Sequence, residues 1–152
     1  DEAPATLAEP GIGDEIIADY QALGIPMGTH PVALLRRHLD RFGVRPAREL
    51  AAFPNGRAAR ASGLVTHRQR PGTAKGVVFV TLEDDTGQVN IVVWPDLVER
   101  YRAALLGSRL MTVYGVWQRD AGSGEVRHLV ARRIVDHSAL LGRLVTRSRD
   151  FH

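Results

Sequence analysis

At 152 residues, 44% hydrophobic and 24% charged, the chain has the make-up of one ordinary globular domain with a helical appendage. It contains no cysteine, which excludes disulfides and cysteine-bound zinc and makes an intracellular, cytoplasmic setting the expectation; no apolar run nears the roughly 18 residues that suggest a membrane span. The net charge of +3 says little, but its distribution says more. No Asp or Glu lies between Leu50 and Leu82, whereas Arg57, Arg60, Arg68, Arg70 and Lys75 all do, a basic stretch suited either to a phosphate backbone or to a solvated face.

Residues 1–12 are punctuated by Pro and Gly and show no periodicity, so a linker is expected. The start is acidic and lacks an apolar signal-peptide core; it reads as the cut end of a longer chain. Residues 13–56 form a helical segment. Ile16, Ile17, Tyr20 and Leu23 carry helical spacing, with Asp14 and Glu15 in the first turn and Gly24 after the last apolar residue. A second helix starts at Pro31, where proline is tolerated. Val32, Leu35, Leu39 and Phe42 form its apolar stripe, and Gly43 ends it. A short turn over Arg48 to Phe53 precedes the loop Pro54-Asn55-Gly56. Such helices need a partner, either the following domain or one preceding this chain.

From residue 57 the period becomes two. Strands are expected over Ala58 to His67, Val77 to Glu83 and Gln88 to Trp94, with a polar loop from Arg68 to Gly76 and a tight turn at Asp84-Asp85-Thr86-Gly87. A helix follows over Pro95 to Leu106. Two more strands run over Leu110 to Arg119 and Val126 to Val135, joined by Ala121-Gly122-Ser123-Gly124. Three strands, a helix and two strands is the order of a five-stranded OB-fold barrel, which binds oligonucleotides through strands 2 and 3 and the loops joining strands 1–2 and 4–5. The chain is therefore read as mainly β: a barrel over 57–136 with a helix between strands 3 and 4, preceded by helices and followed by a tail over 137–152.

Strands 2 and 3 place the candidate site. Side chains alternate across a strand, so Val78, Val80, Leu82, Val89, Ile91 and Val93 point into the barrel. Phe79, Thr81, Asn90, Val92 and Trp94 point out. An outward aromatic among amide and hydroxyl groups can stack unpaired bases, unless the N-terminal helices cover Phe79 and Trp94. Arg68, Arg70 and Lys75 on the adjoining loop, with Arg119 at the 4–5 loop, would hold phosphates. Glu83-Asp84-Asp85 is read as turn chemistry rather than a metal site. The six histidines lack metal-ligand spacing, and no nucleophile motif occurs. No catalytic residue, metal or cofactor is expected within this chain.

The run from Arg68 through Phe79-Val80-Thr81-Leu82-Glu83-Asp84-Asp85-Thr86-Gly87 resembles the barrel segment of C-family bacterial DNA polymerases, relatives of the polymerase III alpha subunit. Asn90-Ile91-Val92-Val93-Trp94-Pro95, Asp19-Tyr20-Gln21-Ala22-Leu23-Gly24 to His30-Pro31, and the terminal Ser148-Arg149-Asp150-Phe151-His152 resemble its damage-inducible, error-prone branch. The resemblance implies a non-catalytic C-terminal module of a translesion polymerase whose palm domain and Mg2+ lie upstream. The same strand-turn-strand pattern is similar to anticodon-binding domains of class II tRNA synthetases, in which positions matching Phe79 and Asn90 contact bases.

The replicative branch carries a short sliding-clamp peptide that is missing after Asp136. The resemblance thus implies that the clamp is reached indirectly, through an inactive Y-family polymerase-like protein and a RecA-like protein. Two roles stay open: holding single-stranded template DNA, or docking one of those accessory proteins without touching DNA. The tail bears on the second role. Leu140, Leu141, Leu144, Val145 and Phe151 are apolar enough to require burial. They either pack back on the barrel or insert into a partner, with Phe151 as the plug and Arg147 and Arg149 at its rim.

Overall fold

The structure is a computed structural model that describes residues 5–6, 28–70, 75–120 and 126–150, with side chains described for 28–70, 75–120 and 126–144. The helix expected within 13–24, the residues 71–74 of the strand 1–2 loop and the hairpin loop 121–125 lie outside the described residues. A two-residue strand, β1 (Ala5–Thr6), pairs with the far end of β2 (Ala58–Arg70). The barrel proper consists of β2, β3 (Val78–Asp84), β4 (Gly87–Val93), β5 (Leu110–Arg119) and β6 (Arg127–Asp136).

Hydrogen bonding runs β2–β3–β4–β6–β5 and returns from β5 to β2, which closes the sheet. The β4–β6 seam is parallel, with Ile91 opposite Leu129 and Val92 opposite Val130; the other barrel pairings are antiparallel. Closure removes the exposed strand edges that would otherwise recruit other chains. It also demands a strand long enough to serve two neighbours. β2 meets that demand: residues 58–64 pair with β5 and residues 64–69 with β3, with a bulge between Val65 and His67. The polar end Arg68-Gln69-Arg70, expected as loop, is therefore strand.

The alternation expected on the inner face holds. Val78, Val80, Leu82, Val89, Ile91 and Val93 are all buried in one cluster with Leu105, Met111, Val113, Trp117 and Leu129. Each fully buried aliphatic side chain contributes about 1.5–3 kcal/mol relative to exposure. Between β4 and β5 the expected single helix is two, α4 (Pro95–Arg100) and α5 (Arg102–Gly107), broken at Tyr101 with φ −111° and ψ 28°. They cap one end of the barrel with Leu97, Val98 and Leu105.

The N-terminal helices are shorter than expected: α1 (Pro31–Leu34), α2 (Arg36–Asp40) and α3 (Ala47–Leu50). Leu35, between α1 and α2, sits at φ −97° and ψ 2°, so the stripe is kept while the helix is interrupted. Val32, Leu35 and Leu39 form a second core with Leu64 and Leu110 of the barrel and with Leu140, Leu141 and Leu144 of the last helix, α6 (Ser138–Asp150). Of the two readings of the tail, these leucines follow the first and pack back on their own domain. Phe151 lies outside the described residues, as do the side chains of Arg147 and Arg149. No helix among the described residues is long and apolar enough to cross a membrane.

Candidate nucleic-acid interface

The outer face of the β3–β4 hairpin is built by direct cross-strand pairs. Phe79 lies opposite Val92, Thr81 opposite Asn90, and Glu83 opposite Gln88. Phe79 is 37% exposed and Trp94, one residue past β4, is 51% exposed. Among the described residues, the N-terminal helices α1 to α3 therefore leave both rings exposed. Asn90 and Gln88 are exposed, while Thr81 is half-buried. Val92 points to this face but is only 7% exposed. It forms the floor of a groove rather than a free contact.

That groove has a volume of about 510 Å3 and is walled by Phe79, Gln88, Asn90 and Val92 on one side. Trp117, Arg127 and His128 close the other side, with Ala47 and Ala51 of the α3 region at the end. Nothing in the linear sequence points to Trp117 or His128, because β4 and β6 become neighbours only through the parallel seam. His128 Nε2 lies 2.7 Å from Gln118 Oε1. Burial lowers the pKa of His128, favouring the neutral ring.

The cations do not gather as the sequence suggests. Arg68 is a correction: it is 6% exposed, inside β2, and its guanidinium turns inward to the end of α5. Its Nε–H donates to the Leu105 carbonyl at 2.7 Å, and Nη2 donates to the Ser108 carbonyl. Burial lowers its pKa, opposed by the charge of Asp136. It thus serves as a cation at a helix C-terminus, where carbonyls lack partners, and is not offered to a ligand. Arg70 is half-buried at the end of β2, and its buried Nε–H has no acceptor among the described residues. Lys75 is exposed, with φ 49° followed by Gly76 at φ 89°. The ideal Cβ of Gly76 would lie 3.5 Å from Pro95, so Lys75 stands near the Trp94 end of the hairpin face. Arg119 is half-buried at the opposite mouth, where its N–H donates to Asn55 Oδ1 at 2.9 Å in a cleft shared with Gln118, Asp120, Val126 and His128.

The acidic turn is structural. Asp84 is buried, and its Oδ1 accepts from Thr86 N–H (2.7 Å), Thr86 Oγ1 (2.8 Å) and Gly87 N–H (3.0 Å). Its Oδ2 accepts from Ala47 N–H at 2.8 Å, tying α3 to the hairpin. Arg36 bridges to Asp84 at 3.5 Å and also to Asp85. Glu83 lies 3.2 Å from His30 Nε2, while His30 Nδ1 caps α1 by accepting from Val32 N–H at 3.1 Å. The carboxylates are thereby committed to holding helices on the barrel.

Residues 59–135 match the family model described as an OB-fold nucleic acid binding domain, the tRNA anticodon family. Over 151 residues the chain is 53% identical to an error-prone DNA polymerase of Ralstonia nicotianae and 51% identical to one of Pseudomonas fluorescens. In both cases the match takes in 99% of this chain and 14% of the relative; the chain thus spans about one seventh of the length of these curated relatives. Among solved structures, asparaginyl-tRNA synthetase from Pyrococcus horikoshii complexed with asparaginyl-adenylate is similar with a TM-score of 0.52 and 21% identity. That likeness covers 62% of this chain and 22% of the synthetase, and it is a likeness of fold.

Proposed function

Because this chain belongs to the family of OB-fold nucleic acid binding domains, we propose that it is a non-catalytic, C-terminal module of an error-prone DNA polymerase that holds single-stranded template on its β3–β4 face. The observation that carries this reading is the exposed Phe79 ring beside Asn90, over a groove floored by Val92. Stacking on an aromatic ring tolerates any base and supplies about 1–3 kcal/mol per base, which suits a polymerase that must accept damaged template during translesion synthesis. Asn90 offers amide donors and an acceptor to a base edge. Lys75 and Arg70 stand where phosphates of a bound strand would pass, and Arg119 stands at the far mouth. Polymerisation and its Mg2+ belong in this proposal to the remainder of the parent chain.

Fluorescence anisotropy with a short labelled oligonucleotide at low salt tests the reading. Weak, salt-sensitive binding is expected, reduced about 5- to 150-fold by Phe79→Ala, the range set by one lost stack. Undiminished binding by a Phe79→Ala/Asn90→Ala variant overturns it.

The second reading, docking onto an accessory mutagenesis protein, draws support from the exposed Trp94, a residue type enriched at protein interfaces. A pull-down with the inactive Y-family-like and RecA-like proteins discriminates. Capture by either protein, lost on Trp94→Ala, together with no oligonucleotide binding, would replace the first reading.

A further inference from the structure

A second cleft, of about 550 Å3, shares no lining residue with the β3–β4 groove. Its walls come from β2, β5 and β6 and from the loops around Gly43 and Phe53. Arg45, Arg57, Arg60 and Arg132 line it, and no Asp or Glu does. All four are exposed. Among the described residues only Arg45 of these is ion-paired, to Glu49 on its own surface segment at 3.5 Å.

Three guanidinia in and beside the cleft lie over aromatic rings. Arg60 and Arg133 lie over Tyr114, 4.8 and 5.2 Å from its centroid, and Arg57 lies over Phe53 at 4.1 Å. A guanidinium parked on a ring keeps its in-plane N–H fork for an outside acceptor, and the ring restricts its motion. Arg60 spends one of its N–H groups on the Phe42 carbonyl at 2.9 Å, which fixes it further.

The backbone is shaped to the same end. Tyr114 pairs with Arg133 and Gly115 with Ala131, so Arg132 is an extra residue bulged from β6. The bulge puts Arg132 and Arg133 both on the outside, where regular alternation would have turned one of them inward. Gly115 permits it: a Cβ there would lie 2.0 Å from the Val130 carbonyl oxygen.

We propose that this arginine cleft is a second nucleic-acid contact, gripping the phosphate backbone of a strand without reading its bases. Forked, ring-supported guanidinia match phosphate oxygens. Base stacking is not on offer, since Arg60 and Arg133 occupy Tyr114. A barrel with a base-stacking groove and a separate phosphate grip can hold two stretches of nucleic acid at once. The cleft does not depend on the β3–β4 reading.

The test uses the 152-residue chain and a labelled 30-nucleotide strand, titrated over a range of salt. Arg132→Gln/Arg133→Gln should weaken binding alike for all sequences and make the slope of log affinity against log salt shallower by about 1.4, roughly 0.7 for each lost phosphate contact on a single strand. Arg57→Gln/Arg60→Gln, an independent pair, should do the same, with circular dichroism confirming the fold of each. In a Phe79→Ala/Asn90→Ala background the salt-sensitive part should persist, so failure of the hairpin face and failure of the cleft are read separately. An unchanged slope in both folded arginine pairs overturns the proposal. So does loss of binding to a polyglutamate peptide with DNA binding intact, which would make the cleft a seat for an acidic protein segment.

Discussion

The two outer faces of the barrel are opposites in composition and in how they are made. The β3–β4 face carries Phe79, Thr81 and Asn90 on adjacent strands joined by a two-residue turn. The arginine cleft draws on residues from Arg45 to Arg133, across three strands and two loops. One face follows from local alternation; the other exists only once β2, β5 and β6 have met. The difference teaches that a hairpin exposes its chemistry to a reading by period, whereas a closed barrel creates surfaces that no window of sequence contains.

Gly115→Ala is the sharpest way to break the contrast. The added methyl would overlap the Val130 carbonyl oxygen, so the β5–β6 ladder must shift where the bulge forms. Overpacking of this kind costs about 1–3 kcal/mol or more, measurable by urea unfolding. Of the protein that stays folded, binding by the arginine cleft should suffer more than binding by the hairpin face, because only the cleft depends on the bulge.

Asp84→Ala should come next and strike from the opposite side. It leaves the N–H groups of Ala47, Thr86 and Gly87 without their acceptor; the buried Ala47 orphan alone costs about 1–3 kcal/mol, and the two at the more exposed turn add less. The expected outcome is a loss of a few kcal/mol in unfolding free energy, with α3 loosened from the hairpin and the end of the β3–β4 groove opened. A loss of less than about 0.5 kcal/mol, the ordinary range of a surface substitution, would mean that the turn is not the anchor the geometry suggests.

The barrel, its strand order and the inner face of the hairpin were legible because each rests on period two over at least seven residues, bounded by turn residues such as Asp84 to Gly87. Arg68 was not legible. A polar run, Arg68-Gln69-Arg70, next to Pro71-Gly72 has the local composition of a loop, yet β2 must extend that far to reach both β5 and β3. Only the packed fold brings the carbonyls of Leu105 and Ser108 to its guanidinium. The bulge at Arg132 was hidden for a related reason: two consecutive arginines in a strand look like a broken alternation, and the matching cue, Gly115, lies on another strand. The interruption of the long N-terminal helix at Leu35 leaves the apolar stripe intact, so spacing could not reveal it.

Arg68→Leu separates a scaffold cation from a ligand cation. It removes two charge-assisted hydrogen bonds, worth about 1.5–3 kcal/mol each when made to a charged group, but the leucine regains part of this through apolar burial. A net destabilisation of about 1–2 kcal/mol is expected by denaturant titration. Oligonucleotide affinity of the folded variant should be unchanged, whereas Arg132→Gln/Arg133→Gln should show the reverse pattern. A fall in affinity with no fall in stability would return Arg68 to the interface.

The smallest effect is one of pH, and it sets the two ends of β6 against each other. His128 opens onto the hairpin groove, and His137 lies just past the strand against Thr112 Oγ1 at 2.6 Å and the Phe42 ring at 4.5 Å. Burial lowers both pKa values, and the charge of Asp136 partly offsets this for His137. With a folded pKa below the unfolded value of about 6.5, each histidine takes up its proton more readily when unfolded. Stability therefore rises with pH through this range and is fully present above about pH 7.5. It declines as pH falls below about 6.5, and levels off once the folded form is protonated too. His137→Gln should flatten that decline in melting temperature between pH 7.5 and 5.5 while leaving DNA affinity alone. His128 adds a positive charge to the groove when protonated, and burial puts that protonation below the ordinary histidine value, so oligonucleotide affinity should strengthen only as pH falls below about 6.5, and His128→Gln should abolish that gain. If His137→Gln removes the affinity change instead, protonation acts on the fold as a whole and not on the groove.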